Sequence, residues 1–292
     1  MYDLHHLKGN TYYIDGPTNC GVYKLNETDV VLIDCATSNE ASLLDKVLEE
    51  NNFIPRYIVM SHSHADHSGG SSYFQKKYHS ILIASKIERA FFRDSKLDIG
   101  FLYGGYPLDE YDGKLMHISD NREIYALDRI PKGLQSFKLK GHHYGMIGIK
   151  TDDDVYFVAD TLGSQELVDK QHILLIYDVA GYLESLNFVE SLDGKMVVPS
   201  HSEATLNIKP VVIFNRAKIY EIIDVILDFL KKEHNCVDVA AYIFEYYNLK
   251  ITYNKYMLIL STVRSYLSYL SNNKLIDNYF KNNRLYFKNN RK

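Results

Sequence analysis

Short apolar stretches separated by turn chemistry dominate the start of the chain. "NTYYI", "CGVYKL" and "VVLID" are rich in Tyr, Val and Ile, and "DGPTN" and "NETD" divide them. This predicts strands joined by tight turns. In "NEASLLDKVLEENN" the apolar positions Leu43, Leu44, Val47 and Leu48 fall on one helical face. "RYIVM" is a short apolar run of the kind that forms a buried strand, "SSYFQKKYH" predicts a helix, and "SILIA" another strand. Residues 93–117 break the rhythm with Gly100, Gly104, Gly105, Pro107 and several aromatics, which predicts a loop or lid on the substrate side. Strands return in "SFKLK", "GMIGIK" and "VYFVAD", with "TDDD" as the turn between the last two. "YLESLNFVESL" reads as a helix and "KMVVPSH" as a strand ending in His201.

The remainder has a different pattern. "AKIYEIIDVILDFLKKE", "VDVAAYIFEYYNL" and "KYMLILSTVRSYLSYLSNN" are three amphipathic helical segments, followed by "KLIDNYFKNNRLYFK", which reads as a hairpin. Helices followed by a small basic hairpin predict a winged-helix-like arrangement. The division expected is a larger unit over 1–210 and a mainly helical one over 211–292. No repeat at the scale of about 20–50 residues interrupts this organisation.

A chain of 292 residues with 46% hydrophobic and 24% charged residues can bury a large core and is not disordered by composition. No apolar run of about 18 residues is present, and "MYDLHHLKGN" has no signal-peptide core. The expected location is the cytoplasm, without membrane insertion. Cys20, Cys35 and Cys236 are odd in number and widely spaced, which predicts buried free thiols rather than a disulfide framework. Charge is uneven: from Val211 onward 13 Lys/Arg face 7 Asp/Glu, giving +6 against −10 for residues 1–210. A basic tail on an acidic body suits a nucleic acid or anionic partner, but equally a solvated face or a homodimer contact through the C-terminal unit. The helix "KYMLILSTVRSYLSYL" offers only Lys255 and Arg264 to a duplex, and its apolar character favours packing or dimerisation over nucleic-acid binding.

The densest chemistry is "MSHSHADHSGG", residues 60–70, at the end of the "RYIVM" strand. His62 and His64, one residue apart at a strand end, can point at one ion, and Asp66 and His67 add donors for a second. A polar surface loop is the competing reading of this cluster.

"HSHADHSGG" resembles the HxHxDH motif of the metallo-β-lactamase superfamily, most of all its glyoxalase-II-type hydrolase branch. Three later segments match what that family places at strand ends: "KGHHYGMIGI", "VYFVADTL" and "VVPSHSE". The resemblance covers roughly residues 8–205 and implies a four-layer αββα fold, an α/β class, with a smaller helical C-terminal domain. It also implies two divalent ions: zinc is the expected metal, with iron or manganese as alternatives. The first ion would take His62, His64 and His142, the second Asp66, His67 and His201, and Asp160 would bridge them. Asp34, in "VLIDC", matches an aspartate the family places near the metals, where it would support the ligands; a structural hydrogen bond at the end of a strand is the competing reading. His143 stands where the family has a small hydroxyl residue, and is expected at the pocket wall, as a candidate for substrate contact, or behind the ligands. Tyr103, Tyr106 and Tyr111 are candidates for substrate contact, with packing of the loop onto the body as the competing reading. His117 is a weaker candidate.

The chemistry so implied is hydrolysis of a small-molecule ester, thioester, lactone or phosphoester by a hydroxide shared between two metals, with Asp66 orienting the nucleophile or passing its proton onward. True β-lactamases of the superfamily generally lack the bridging aspartate, so Asp160 argues against a β-lactam substrate. Two other readings compete: an iron-dependent oxidoreductase acting on persulfides, and a nucleic-acid-binding regulator acting through the C-terminal unit.

Overall fold

The computed structural model describes residues 2–94, 96–109 and 123–290. Its first sheet takes its strands in chain order: β1 (Leu4–Lys8), β2 (Thr11–Ile14), β3 (Cys20–Lys24), β4 (Asp29–Ile33), β5 (Ile54–Val59), β6 (Ile81–Ile83) and β7 (Ile124–Tyr125). The early strands pair antiparallel through tight turns, whereas β4, β5, β6 and β7 pair parallel. Parallel pairing requires crossovers, supplied by α1 (Ala41–Glu50), by α2 (Ala65–Ser68) with α3 (Ser71–Tyr78), and by α4 (Glu88–Arg93) with α5 (Lys96–Tyr103). The second sheet, in spatial order β11-β10-β9-β8, comprises β8 (Leu134–Lys138), β9 (Ile147–Thr151), β10 (Val155–Phe157) and β11 (Met196–Val198).

Strand periodicity decides which side chains meet. In β4, Val31 and Ile33 face the second sheet and pack with Ile147, Ile149 and Val155 between the two sheets. Val30 and Leu32 point the other way, against Leu44 and Leu48 of α1 and Phe74. On the far side of the second sheet, Val197 packs against Tyr182, Leu186 and Val189 of α7 (Val179–Glu190). Each sheet is thus covered by helices, which is the four-layer arrangement expected.

The C-terminal region continues this last layer. The helix α8 (Lys209–Phe229) starts earlier than its apolar pattern suggested, because Pro210 fits a first helical turn. With α9 (Cys236–Tyr246), α10 (Tyr253–Asn272) and a small sheet in the order β12 (His234–Asn235), β14 (Arg284–Asn289), β13 (Ile276–Lys281), it shares one apolar cluster with α7. Among the described residues, no helix is long and apolar enough to cross a membrane.

The segment expected as an irregular loop differs in part. Despite Gly100, residues 96–103 are helical, because Ile99 and Leu102 sink against Met257 of α10; tertiary burial outweighs the helical cost of one glycine. Tyr111 and His117 lie outside the described residues. The cysteines are unpaired: Cys20 and Cys35 are buried, whereas Cys236 is only partly so.

Candidate metal centre

All seven predicted donors lie just beyond the C-terminal ends of strands, along one edge of the two facing sheets. After β5 the chain delivers His62 and His64, and α2, which begins at Ala65, presents Asp66 and His67. His142 follows β8, Asp160 follows β10 and His201 follows β11. Parallel pairing of β10 with β11 brings the last two strand ends side by side.

Two glycines make the loops possible. Gly141 has φ +106°, and a Cβ there would lie 2.4 Å from the backbone of Tyr182, so only glycine lets the His142 loop approach α7. A Cβ on Gly70 would lie 2.2 Å from the carbonyl oxygen of Cys35. This contact holds α2 against the segment after β4, where the Cys35 N–H donates to the His67 carbonyl at 2.7 Å. Beside the site, Asp34 (φ +61°) and Ala159 (φ +46°) are left-handed non-glycines, each costing about 1–2 kcal/mol. Ala159 makes the chain leave the sheet after Phe157, so Asp160 sits on a 3₁₀ turn (Ala159–Thr161) and not in the strand itself.

Three imidazoles converge. His62 Nε2 and His142 Nε2 each lie 3.0 Å from His64 Nδ1. One nitrogen carries at most one proton and cannot serve two such neighbours. Nitrogens bound at 2.0–2.1 Å to one tetrahedral ion would be spaced about 3.3 Å apart, close to what is found. Burial, reinforced by the neighbouring imidazoles, holds the pKa of His62 well below its ordinary value. Burial also pushes His64 down to about 4 and His142 to about 3. All three are neutral at pH 7, with lone pairs available.

The other donors form a second group. Asp66 Oδ2 lies 3.6 Å from His67 Nε2 and 3.5 Å from His201 Nε2. Asp160 spans both groups: Oδ1 is 3.0 Å from His67 Nε2 and 3.3 Å from His201 Nε2, and Oδ2 is 3.5 Å from His142 Nε2. Within each of the two groups, His62–His64–His142–Asp160 and Asp66–His67–His201, the donor atoms lie within 4.8 Å of one another. Burial opposes charge on His67 and His201, but the Asp160 and Asp66 carboxylates outweigh it, raising His67 well above its ordinary value and His201 to about 9. Burial likewise opposes the Asp160 charge, and His67 and His201 overcome it, holding that carboxyl well below its usual range.

This donor set fits divalent ions. His67 Nε2 and Asp160 Oδ1 are buried without a hydrogen-bond partner although they are 3.0 Å apart. Two buried polar atoms left unpaired at this distance suit a shared cation, which would take the place of the His67 Nε2 proton. The opposite ring nitrogens explain why Nε2 is free. Carbonyl and carboxylate oxygens only accept, so His67 Nδ1 donates to Asp34 Oδ2 (2.8 Å), His142 Nδ1 to the Leu175 carbonyl (3.0 Å) and His201 Nδ1 to the Pro17 carbonyl (2.8 Å). The Ser61 hydroxyl donates to Asp34 Oδ2 at 2.7 Å and therefore accepts from His62 Nδ1 at 3.0 Å. Asp34 thus sets the tautomer of one histidine in each group, directly at His67 and through Ser61 at His62.

His143 requires a correction as a substrate contact. Its ring is 3% exposed, with Nδ1 2.6 Å from Glu88 Oε1 and Nε2 2.9 Å from Asp98 Oδ1. Burial opposes its charge, but hydrogen bonds to Asp98 and Glu88 push it up to about 9. Both nitrogens are consumed behind the ligands, leaving none for a substrate. Tyr103 ends α5, and Tyr106 is 80% exposed with its ring 5.9 Å from Lys96 Nζ. From this side the structure brings Asp98 to the centre's support instead. Glu88, Asp98 and Ser61 went unrecognised in the sequence. Only Ser61, a small hydroxyl directly before His62, carried a local signal.

The sequence model of the Metallo-beta-lactamase superfamily matches residues 13–201. No curated protein matches the chain. Among solved structures, a β-lactamase domain protein from Burkholderia ambifaria superposes with TM-score 0.73 at 14% identity, over 98% of this chain and 93% of that one. A metallo-β-lactamase family protein from Thermus thermophilus gives 0.70 at 14% identity, over 99% and 98%. The FEZ-1 metallo-β-lactamase from Legionella gormanii gives 0.55 at 14%, over 75% of this chain and 94% of that one. At these identities the structures speak for the fold, which the first two share over nearly the whole chain. With more than half of its length matched by the family's own sequence model, the chain belongs to the metallo-β-lactamase superfamily.

Proposed function

We propose that this protein is a dinuclear metal-dependent hydrolase of the glyoxalase-II-like branch, acting on a small ester, thioester, lactone or phosphoester. The observation that carries the reading is Asp160, which presents one carboxylate oxygen to each donor group. His62, His64 and His142 would hold one divalent ion, and Asp66, His67 and His201 the other, zinc being the metal that suits an imidazole-rich set with carboxylates. Bound ions of this kind supply Lewis acidity and a water of lowered pKa.

The chain's own residues do the rest. Asp34, Ser61, Leu175 and Pro17 hold the imidazoles in the tautomer that leaves the inward nitrogen bare. Asp66 keeps 27% of its side chain exposed, and Thr18 Oγ1 donates to its Oδ2 at 3.2 Å. It is therefore steadied at the open side of the site, where it can take a proton from the attacking water or give one to the leaving group. No serine or cysteine nucleophile is required.

We read the C-terminal region as a winged-helix-like module, from its order α8-β12-α9-α10-β13-β14. Its third helix buries Met257, Ile259, Val263 and Leu267, and Lys281 of the hairpin is paired with Glu233. Both features support packing over duplex binding. The buried free thiols Cys20 and Cys35 suit a reducing compartment, and we place the protein in the cytoplasm.

The test is metal quantification coupled to a panel of thioester, ester, lactone, phosphodiester and β-lactam substrates. Two divalent ions per chain and turnover of one of the first four classes are expected. Asp160→Asn should lower both metal content and turnover, the latter by at least about 100-fold. One iron per chain, with oxygen consumed on a persulfide, would overturn the reading in favour of an oxidoreductase.

A further inference from the structure

His142 stands 78 residues from His64, yet its ring nitrogen must hold a fixed place beside those of His62 and His64. The two loops are joined by a buried assembly behind the donors. Ser63, the residue between His62 and His64, donates its backbone N–H to Glu88 Oε2 at 2.9 Å and its hydroxyl to Asp98 Oδ2 at 3.1 Å. His143, the residue after His142, donates Nδ1 to Glu88 Oε1 at 2.6 Å and Nε2 to Asp98 Oδ1 at 2.9 Å. The Gly145 N–H adds a bond to Glu88 Oε1 at 2.8 Å. Each carboxylate therefore grips the first loop with one oxygen and the second loop with the other. Ser63, Glu88, Asp98 and His143 are all 3% exposed or less.

Two carboxylates buried together lose most of their hydration, and a core of this size could be closed with apolar residues at less cost. Their placement supplies the reason for them. Glu88 opens α4 and Asp98 lies in the first turn of α5, and both reach inward to the residues adjoining three donors of a single group. The other group is supported by Thr18, by the Pro17 carbonyl and by Asp34, which also reaches His62 through Ser61.

We infer that Glu88 and Asp98 are positioning residues that clamp residues 62–64 to residues 142–145, so that the three-imidazole set is assembled before any ion arrives. The inference rests on reading the donor cluster as a metal centre.

The experiment titrates cobalt(II) into the full-length, ion-free protein, following visible d–d absorption and competition with a chelator. A His201→Ala background isolates the three-imidazole set, and a His142→Ala background isolates the other. Glu88→Gln turns an amide NH2 against either the Ser63 N–H or the Gly145 N–H, two backbone donors that cannot reverse. It should weaken cobalt binding in the first background by about 10–100-fold, and by less than about threefold in the second. Asp98→Ala should behave like Glu88→Gln. Asp98→Asn should restore affinity to within about threefold of the parent, because its oxygen still accepts from His143 while its NH2 donates to the Ser63 hydroxyl, which can turn.

Equal weakening of both sets, no weakening by Glu88→Gln, or Asp98→Asn as weak as Asp98→Ala would overturn the inference. The last result would show that charge matters here, not geometry. Should Glu88→Gln lose its cooperative thermal transition, the Asp98→Asn and Asp98→Ala pair decides alone. If the unsubstituted protein takes up no cobalt, the metal-centre reading itself fails. If it binds cobalt and the variants match it, only the positioning role fails.

Discussion

Substituting Asp34 by asparagine tests the logic of the centre with the least disturbance to the backbone. Asp34 has φ +61°, a conformation that asparagine tolerates as readily as aspartate, so the loop should keep its path. What changes is the direction of two protons. In the native protein Oδ1 accepts the Ser61 N–H at 2.7 Å, and Oδ2 accepts the Ser61 hydroxyl at 2.7 Å and His67 Nδ1 at 2.8 Å. An amide with its oxygen kept on Ser61 N–H places NH2 where Oδ2 was. His67 must then accept at Nδ1 and carry its proton on Nε2, which faces Asp160 Oδ1 at 3.0 Å. The Ser61 hydroxyl, now accepting from the amide, turns to donate to His62 Nδ1 at 3.0 Å, and the His62 proton likewise moves to Nε2. One donor in each group is blocked. A hydrogen bond to a buried charge is worth about 1.5–3 kcal/mol, which corresponds to about 10–100-fold in affinity, the range usual for residues that orient metal ligands. Zinc content after dialysis against a graded chelator series measures it. Asp34→Asn should retain neither ion at chelator concentrations that leave the native protein fully loaded. Two ions retained with affinities within about threefold of native would refute the tautomer argument.

Three further outcomes follow from the same structure. Buried Asn215 accepts the Gly163 N–H at 3.0 Å and donates to the carbonyls of Gly163 at 2.9 Å and Val211 at 3.0 Å; Asn215→Leu should cost about 2–4 kcal/mol in chemical denaturation, and an unchanged midpoint would refute this linkage between α8 and the turn after Asp160. Gly141→Ala should lose about 1–2 kcal/mol from its left-handed φ alone, and more from its clash with Tyr182; cobalt absorption from the three-imidazole set should fall while the other set still binds. Burial keeps the His172 imidazole below its ordinary titration range, helped by Lys218, whose Nζ lies 3.5 Å from Nδ1. The folded pKa is below the unfolded one, so as pH falls through about 6.5 the unfolded chain takes up the proton first and stability drops. Denaturation midpoints of His172→Gln should therefore show a shallower loss between about pH 7 and 5 than native protein, and identical slopes would contradict it.

The sequence by itself determined the layers and most of the donors. The unbroken apolar run in "VVLID" predicted a strand, and the structure sets Val30 and Leu32 against helices and Val31 and Ile33 against the second sheet. Period and composition report such faces directly, because each depends on neighbours within a few residues. His62, His64, Asp66 and His67 were legible for the same reason, as a compact cluster at a strand end, and the family resemblance located His142, Asp160 and His201. Tertiary structure alone decided how their atoms converge. The two carboxylate oxygens of Asp160 divide between the groups because β10 ends beside β11 and Ala159 turns the chain out of the sheet. Whether residues 96–103 formed a loop or a helix depended on Met257, more than 150 positions away. The same holds for His143. The local motif singles out His142 as the ligand but does not say whether His143 lines the pocket or sits behind it, and its role is set by Glu88 and Asp98, 55 and 45 positions distant. Buried ionisable pairs of this kind have no period and no motif. Their energy comes from being desolvated together, and only the folded chain brings them to one place.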